Sequence, residues 1–424
     1  MTQFYEKRVL PNGVRIVAEP MPHVRSVSVG VWIAAGSRYE SPKINGAAHF
    51  IEHMLFKGTE TRSALELANV MDEIGGQVNA FTSREVTCFH GRVLDERFRQ
   101  LIDVLSDMIL HSRFDEKDVA NERGVITEEI DMYEDTPDEM AAERLFGAVY
   151  KGSMLARPIL GTRTSLARLN SASLLDFMRQ HYVGGGVVVA VSGAYTADDL
   201  EYVAEKFIEL ESGKVDMPDS AEYHPTILVR HKMTEQNHIC VGFPGCSLTD
   251  ERRFIFQHIN NILGGGVSSR LFQKIREELG LCYSLYSAMA AQSDSGLITI
   301  GFALSHENER EATMALNDEL KRFVDNGVTE DELQRSFEQV KSNLLLGLES
   351  TATRMTRLGR GEMTWGSTHS VDETIAGYAS TTTADILALS REIFIAEHAS
   401  LSAVGRVPTR SVYAQMLLQD DGQS

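Results

Sequence analysis

The order of helix and strand signals repeats once, about half a chain apart, and this limits the fold more than any other feature. Glu73-Ile74-Gly75-Gly76-Gln77-Val78-Asn79 and Glu278-Leu279-Gly280-Leu281-Cys282-Tyr283-Ser284 both run from the end of a helical pattern, through glycine, into a strand pattern; their offset is 278 − 73 = 205 of 424 residues. Glycine just past the last helical residue is a common helix stop. The surrounding order also matches. A strand (26–34, then 238–244) precedes two helices (46–57 and 64–74, then 250–263 and 269–279). Two strands follow (77–82 and 86–93, then 282–290 and 296–303), and then long helices (95–110 and 115–134, then 306–325 and 329–347). A period this long means duplicated domains, not a solenoid. The expectation is an α+β protein of two similar domains, each a mainly antiparallel sheet with helices packed on one face. Residues 212–226 carry Gly, Pro, Ser and Asp without periodicity and read as the linker. That places one domain at 1–211 and the other at 227–424. The first opens with a hairpin, 5–9 and 14–18, around Leu10-Pro11-Asn12-Gly13, because Asn-Gly is a strong turn signal.

Composition narrows the class. Hydrophobic residues make up 43% and charged residues 24%, as in folded soluble proteins, so disorder is excluded. No apolar run approaches the ~18 residues of a membrane span, and Met1-Thr2-Gln3-Phe4-Tyr5-Glu6 lacks the basic start and apolar stretch of a signal peptide. A cytoplasmic protein is expected. Cys88, Cys240, Cys246 and Cys282 are scattered without a Cys-x-x-Cys pair, and read as buried free thiols. The charge balance, 41 − 60 = −19, argues against nucleic acid as a partner, since phosphate binding needs a basic surface. It would draw basic peptides toward an acidic cleft.

Chemistry is concentrated in Gly46-Ala47-Ala48-His49-Phe50-Ile51-Glu52-His53-Met54-Leu55-Phe56-Lys57-Gly58-Thr59. His49 and His53 stand at i and i+4 and share a helix face; Glu52 lies on the same side. Two neutral imidazoles at this spacing can bind one zinc ion, with the carboxylate placed to act on a nearby water. The rest of the segment is apolar almost all round, so the helix should be buried, and ionisable groups on a buried helix are costly unless paired or metal-bound. A third ligand is available from 115–134. Its apolar stripe runs through Val119, Ile126, Ile130 and Tyr133, and Glu122 and Glu129 fall along it about two turns apart, with Glu128 turned about 100° toward the flank. The acidic stretch Glu128, Glu129, Asp131, Glu134, Asp135 reads equally well as a solvated face, and the residues alone do not choose between these readings.

His-x-x-Glu-His is the inverted zinc-peptidase motif. With Asn121-Glu122-Arg123-Gly124-Val125-Ile126-Thr127-Glu128-Glu129-Ile130, the stretch His49–Thr59 resembles the pitrilysin (insulinase-like) zinc metallopeptidases, closest to their processing-peptidase branch. In that family the third ligand is a glutamate about 76 residues after the second histidine, and 129 − 53 = 76. The resemblance, which spans nearly the whole chain, implies one Zn2+ per chain held by His49, His53 and Glu129. It also implies Glu52 as general base and a supporting Glu122. Gly76-Gln77-Val78-Asn79-Ala80-Phe81-Thr82-Ser83 looks like the family's substrate-side edge strand, which implies peptide binding at Asn79, Ala80 and Phe81 by backbone pairing. The segment 269–284 is similar to the one carrying a catalytic-side Arg and Tyr seven residues apart, here Arg276 and Tyr283. Two loops depart from the family pattern, Ser153-Met154 in place of His-Pro and Val183-Gly184-Gly185-Gly186 after His181-Tyr182; neither touches the metal motif. Gly264-Gly265-Gly266 lacks the Lys-Ser or Lys-Thr of a phosphate loop.

The implied protein is a clamshell endopeptidase. The second domain, without the motif, would close a chamber over the first and admit unfolded peptides, basic ones preferred. Neither a nucleic-acid partner nor a membrane span is expected, and a homodimer is compatible with the sequence. The alternative is a non-catalytic peptide-binding or structural subunit of a larger assembly.

Overall fold

The computed structural model describes residues 4–417, whose strands form two sheets. The first contains β1 (Glu6–Val9), β2 (Arg15–Pro20), β3 (Ser26–Ile33), β4 (Gln77–Thr82), β5 (Thr87–Leu94) and β6 (Val187–Gly193), in the order β1-β2-β6-β3-β5-β4. The second contains β7 (Ile227–His231), β8 (Asn237–Pro244), β9 (Cys282–Ala291), β10 (Gly296–Leu304) and β11 (Ser400–Gly405), in the order β7-β11-β8-β10-β9. Strand for strand, this repeats β2-β6-β3-β5-β4. Each sheet has one parallel pair, β2/β6 and β7/β11. The other neighbours are antiparallel. The repeat read from the sequence is thus a repeat of topology.

Side-chain alternation along β3 shows how the first sheet is buried. Val27, Val29, Val31 and Ile33 share a core with Phe50, Ile51 and Met54 of α1 (Ala47–Leu55), Leu67 of α2 (Ala64–Glu73), Leu101 and Leu105 of α3 (Phe98–His111), and Ile126 of α4 (Glu116–Glu134). Trp32 points the other way. It joins Val17, Cys88, Val188 and Ala190 against Met355 and Leu358 of the helix Thr351–Trp365. That helix approaches closely because glycines line the contact. A Cβ on Gly359 would lie 2.1 Å from Trp32 Nε1, and one on Gly30 would lie 2.3 Å from Met355 Sδ. The second sheet repeats the arrangement. Its main core joins β8, β9, β10 and β11 to helices that follow them. Its opposite face carries α5 (Pro137–Val149), through Leu145, Phe146 and Val149 against Cys240, Leu297 and Val404. The expected helix layer on one face is therefore present in each sheet, and a further helix lies on the other face.

These two covering helices come from the opposite half of the sequence, which changes the domain boundaries. One compact unit is the chain up to Ile130 with Arg157–Asp219 and Leu345–Ser370; the other is Asp131–Ala156, Ser220–Leu344 and the chain from Val371 on. The contiguous division at 212–226 differs from this packing. That stretch has no helix or strand, but a sheet with two apolar faces needs cover that its own half does not supply. Other differences are local. Residues 269–279 do not form a regular α-helix: Phe272–Glu278 wind as a π-helix. The helix Ala197–Phe207 ends where Asn12 Nδ2 donates to the carbonyls of Phe207, Ile208 and Leu210. All four cysteines are free and buried. No described helix is long and apolar enough to cross a membrane.

Candidate metal centre

The helix α1 buries Ala47, Ala48, Phe50, Ile51, Met54 and Leu55 and leaves His49, Glu52 and His53 half-buried on its remaining side. Its N-terminus is fixed by a group the sequence reading missed. Glu40, wholly buried, accepts from Gly46 N and Ala48 N and from Asn45 Nδ2, each at 2.7 Å. One carboxylate thus satisfies two of the donors that a helix start leaves unpaired. Asn45 Nδ2 also reaches Pro158 O at 2.9 Å, tying the helix start to the 157–161 segment. Burial pushes the Glu40 carboxyl up to about 7, against the opposing pull of these donors and of Arg157.

The two imidazoles lie one helical turn apart, ring centres 4.7 Å from each other. From α4, Glu129 sets one oxygen 3.8 Å from His49 Nε2 and the other 3.5 Å from His53 Nε2. One ligand atom from each of His49, His53 and Glu129 fits within 4.8 Å of the other two. Ligands about 2.0–2.2 Å from a tetrahedral zinc stand roughly 3.3–3.5 Å from one another, so small side-chain movements would close this set on an ion. Two imidazoles and a carboxylate are also the donors of catalytic zinc sites with an open fourth position. The residues fit the metal. Glu128, beside Glu129, is exposed, and Glu129 turns inward; this resolves the ambiguity of the acidic stretch in favour of Glu129 as the inward carboxylate. Burial, and then the neighbouring His53, lower His49 to about 4, so it is neutral and able to ligate at neutral pH.

Glu122, seven residues before Glu129, is buried and accepts from His53 Nδ1 at 3.0 Å. Its other oxygen meets Lys57 Nζ at 2.7 Å. Lys57 was not singled out in the sequence, although it stands four residues after His53. Glu52 receives a hydrogen bond from Thr82 Oγ1 on β4. Burial raises the Glu52 carboxyl above its ordinary range; Thr82 and His53 oppose the rise and Glu129 adds to it.

Asn79, Ala80 and Phe81 lie on the same strand as Thr82, and β4 is the edge of its sheet. Ala80 N–H donates to Asn79 Oδ1 at 2.8 Å, and the Phe81 ring stands edge-on to Trp32. In the second unit the structure brings Arg276 and Tyr283 together. The Arg276 guanidinium lies 4.5 Å from the ring centre of Phe272 and 5.4 Å from that of Tyr283, which is 79% exposed.

Known proteins resemble this chain along nearly its whole length. Residues 15–163 match the family profile described as Insulinase (Peptidase family M16), and residues 168–340 match Peptidase M16 inactive domain. The uncharacterized zinc protease YmxG of Bacillus subtilis is 43% identical over 94% of this chain and 98% of its own length. This chain belongs to the M16 peptidase family. A second relative, the uncharacterized zinc protease SCO5738 of Streptomyces coelicolor, is 38% identical over 94% of this chain and 89% of its own. Two solved structures share the fold. The peptidase M16 inactive domain from Pseudomonas fluorescens has a TM-score of 0.89 at 17% identity, covering 96% of this chain and 99% of that one. A protease from Helicobacter pylori has a TM-score of 0.87 at 18% identity, covering 95% and 99%. All the candidate ligands fall in the first matched M16 region, and residues 168–340 contain no His-x-x-Glu-His.

Proposed function

We propose that this M16 protein is a zinc-dependent endopeptidase of the processing-peptidase kind, acting on unfolded peptides in the cytoplasm. The observation that carries the reading is the convergence of His49, His53 and Glu129 on one point, with Glu52 beside them and hydrogen-bonded to an edge strand. When bound, zinc supplies Lewis acidity, polarising a carbonyl and making water a nucleophile at neutral pH. The chain's own residues do the rest. The edge of β4 offers backbone groups to an extended peptide, which lays its scissile bond alongside Thr82 and Glu52. Glu52 takes the proton of the attacking water and passes it to the leaving amine, a role that suits a carboxyl raised toward neutrality by burial.

The second unit's part in this proposal is to close a chamber and bring Arg276 and Tyr283 to the substrate, where a guanidinium can hold a carbonyl and a phenol can donate to the developing oxyanion. Hydrolysis of a quenched unfolded peptide tests the reading: a chelator should abolish it and added zinc restore it. Peptide binding without cleavage would instead point to a non-catalytic peptide-binding or structural subunit.

A further inference from the structure

We propose that Lys57 is a positioning residue for the metal centre, which orients Glu122 and through it the imidazole of His53. The inference rests on the zinc reading above and deepens it.

The geometry is local and specific. The chain leaves α1 in a tight turn, with Phe56 N bonded to His53 O at 3.2 Å and Lys57 N to Met54 O at 2.9 Å. Gly58 then turns away at φ 110°, where a Cβ would meet Arg62 O at 2.9 Å. Lys57 is thereby fixed one residue past the C-cap of the helix that carries His53. Its ammonium sits 2.7 Å from one oxygen of Glu122, whose side chain is only 6% exposed, and the other oxygen accepts from His53 Nδ1 at 3.0 Å. A carboxylate held at both oxygens cannot turn. It keeps the hydrogen on Nδ1 and aims Nε2 toward Glu129. The other imidazole has no such support, since His49 Nδ1 is buried without a protein hydrogen-bond partner among the described residues. Of the two ligand rings, the Lys57–Glu122 pair thus supports that of His53.

The test is zinc affinity, measured by competition with a chelator, in wild type, Lys57→Met, Lys57→Arg, Glu122→Gln and the double variant Lys57→Met/Glu122→Gln. Lys57→Met should bind zinc about 10-fold more weakly, at the lower end of losses for an outer support of a metal ligand. Lys57→Arg, which can also pair with a carboxylate, should stay within about threefold of wild type. The double variant should be no weaker than Glu122→Gln, because Lys57 acts through that carboxylate. The melting temperature of the metal-free variants should follow wild type, which a merely structural role would not allow. Should Lys57→Met fold poorly, Lys57→Gln gives the same comparison. Wild-type zinc affinity in Lys57→Met, or losses that add in the double variant, would overturn the inference and leave the zinc reading standing. A wild type that binds no zinc would overturn both.

Discussion

Glu52 and the histidines beside it sit on one helix but answer to different substitutions. Losing an imidazole removes a ligand, so His53→Ala should lose zinc and activity together, as metal analysis beside a peptide assay would show. Glu40 offers a separate test, through pH. Its carboxyl titrates at about 7 in the folded chain against an ordinary value of 4.5, because burial outweighs its three donors and Arg157. Between these values the native state holds the proton that the unfolded chain releases. Glu40 thus favours folding most below about 4.5, and that contribution is lost as pH rises toward 7. The stability advantage of metal-free wild type over Glu40→Gln should shrink over this range, in urea unfolding at pH 5 and pH 8. A difference that grows with pH would contradict the assigned burial. At this scale the pairing of His49 and His53 was legible, since they stand one helical turn apart, whereas Glu129 came only with the family resemblance, because the acidic stretch around it reads equally well as a solvated face. Glu40 stayed hidden because its link to Gly46 and Ala48 is made by a folded loop, with no cap spacing to mark it.

Elements were legible wherever their residues carry periodicity. The strands at 26–34 and 77–82 and the helix at 64–74 fall where the pattern places them. The helix Thr351–Trp365 and the strands β7 and β11 were not read from the sequence. A covering helix that contains Gly359 and Gly361 looks weakly helical, yet Gly359 lets it lie on Trp32. Gly359→Ala places a methyl 2.1 Å from the indole nitrogen of Trp32, which is 1% exposed and has nowhere to go. The expected loss is about 1–3 kcal/mol from overpacking, larger than the ~1 kcal/mol that alanine gains over glycine within a helix. Urea unfolding measures it. An unchanged or raised midpoint would mean that the helix sits farther from the sheet.

For the whole molecule, the duplication was readable from element order, while the exchange of α5 and Thr351–Trp365 between the units was not. Exchange depends on which apolar face remains uncovered after folding, and no local pattern encodes that. Two expectations concern the molecule as a whole. The −19 balance should make kcat/KM for basic peptides fall as salt rises, because screening weakens steering; equal salt dependence for acidic and basic peptides of one length would reject it. If the second unit takes part in the chemistry, Tyr283→Phe should keep its zinc and lower kcat by ~10- to 10³-fold, as for loss of one oxyanion donor. Wild-type kcat in that variant would leave the unit a structural role. If one zinc ion and Glu52 act together in peptide hydrolysis, zinc content and peptide turnover measured side by side in wild type and Glu52→Gln will separate metal binding from proton transfer. One zinc per chain is expected in both proteins, with turnover lowered at least ~10²-fold in the variant, since only the proton transfer is removed. A wild type purified without zinc, or a Glu52→Gln variant that cleaves at the wild-type rate, would contradict this.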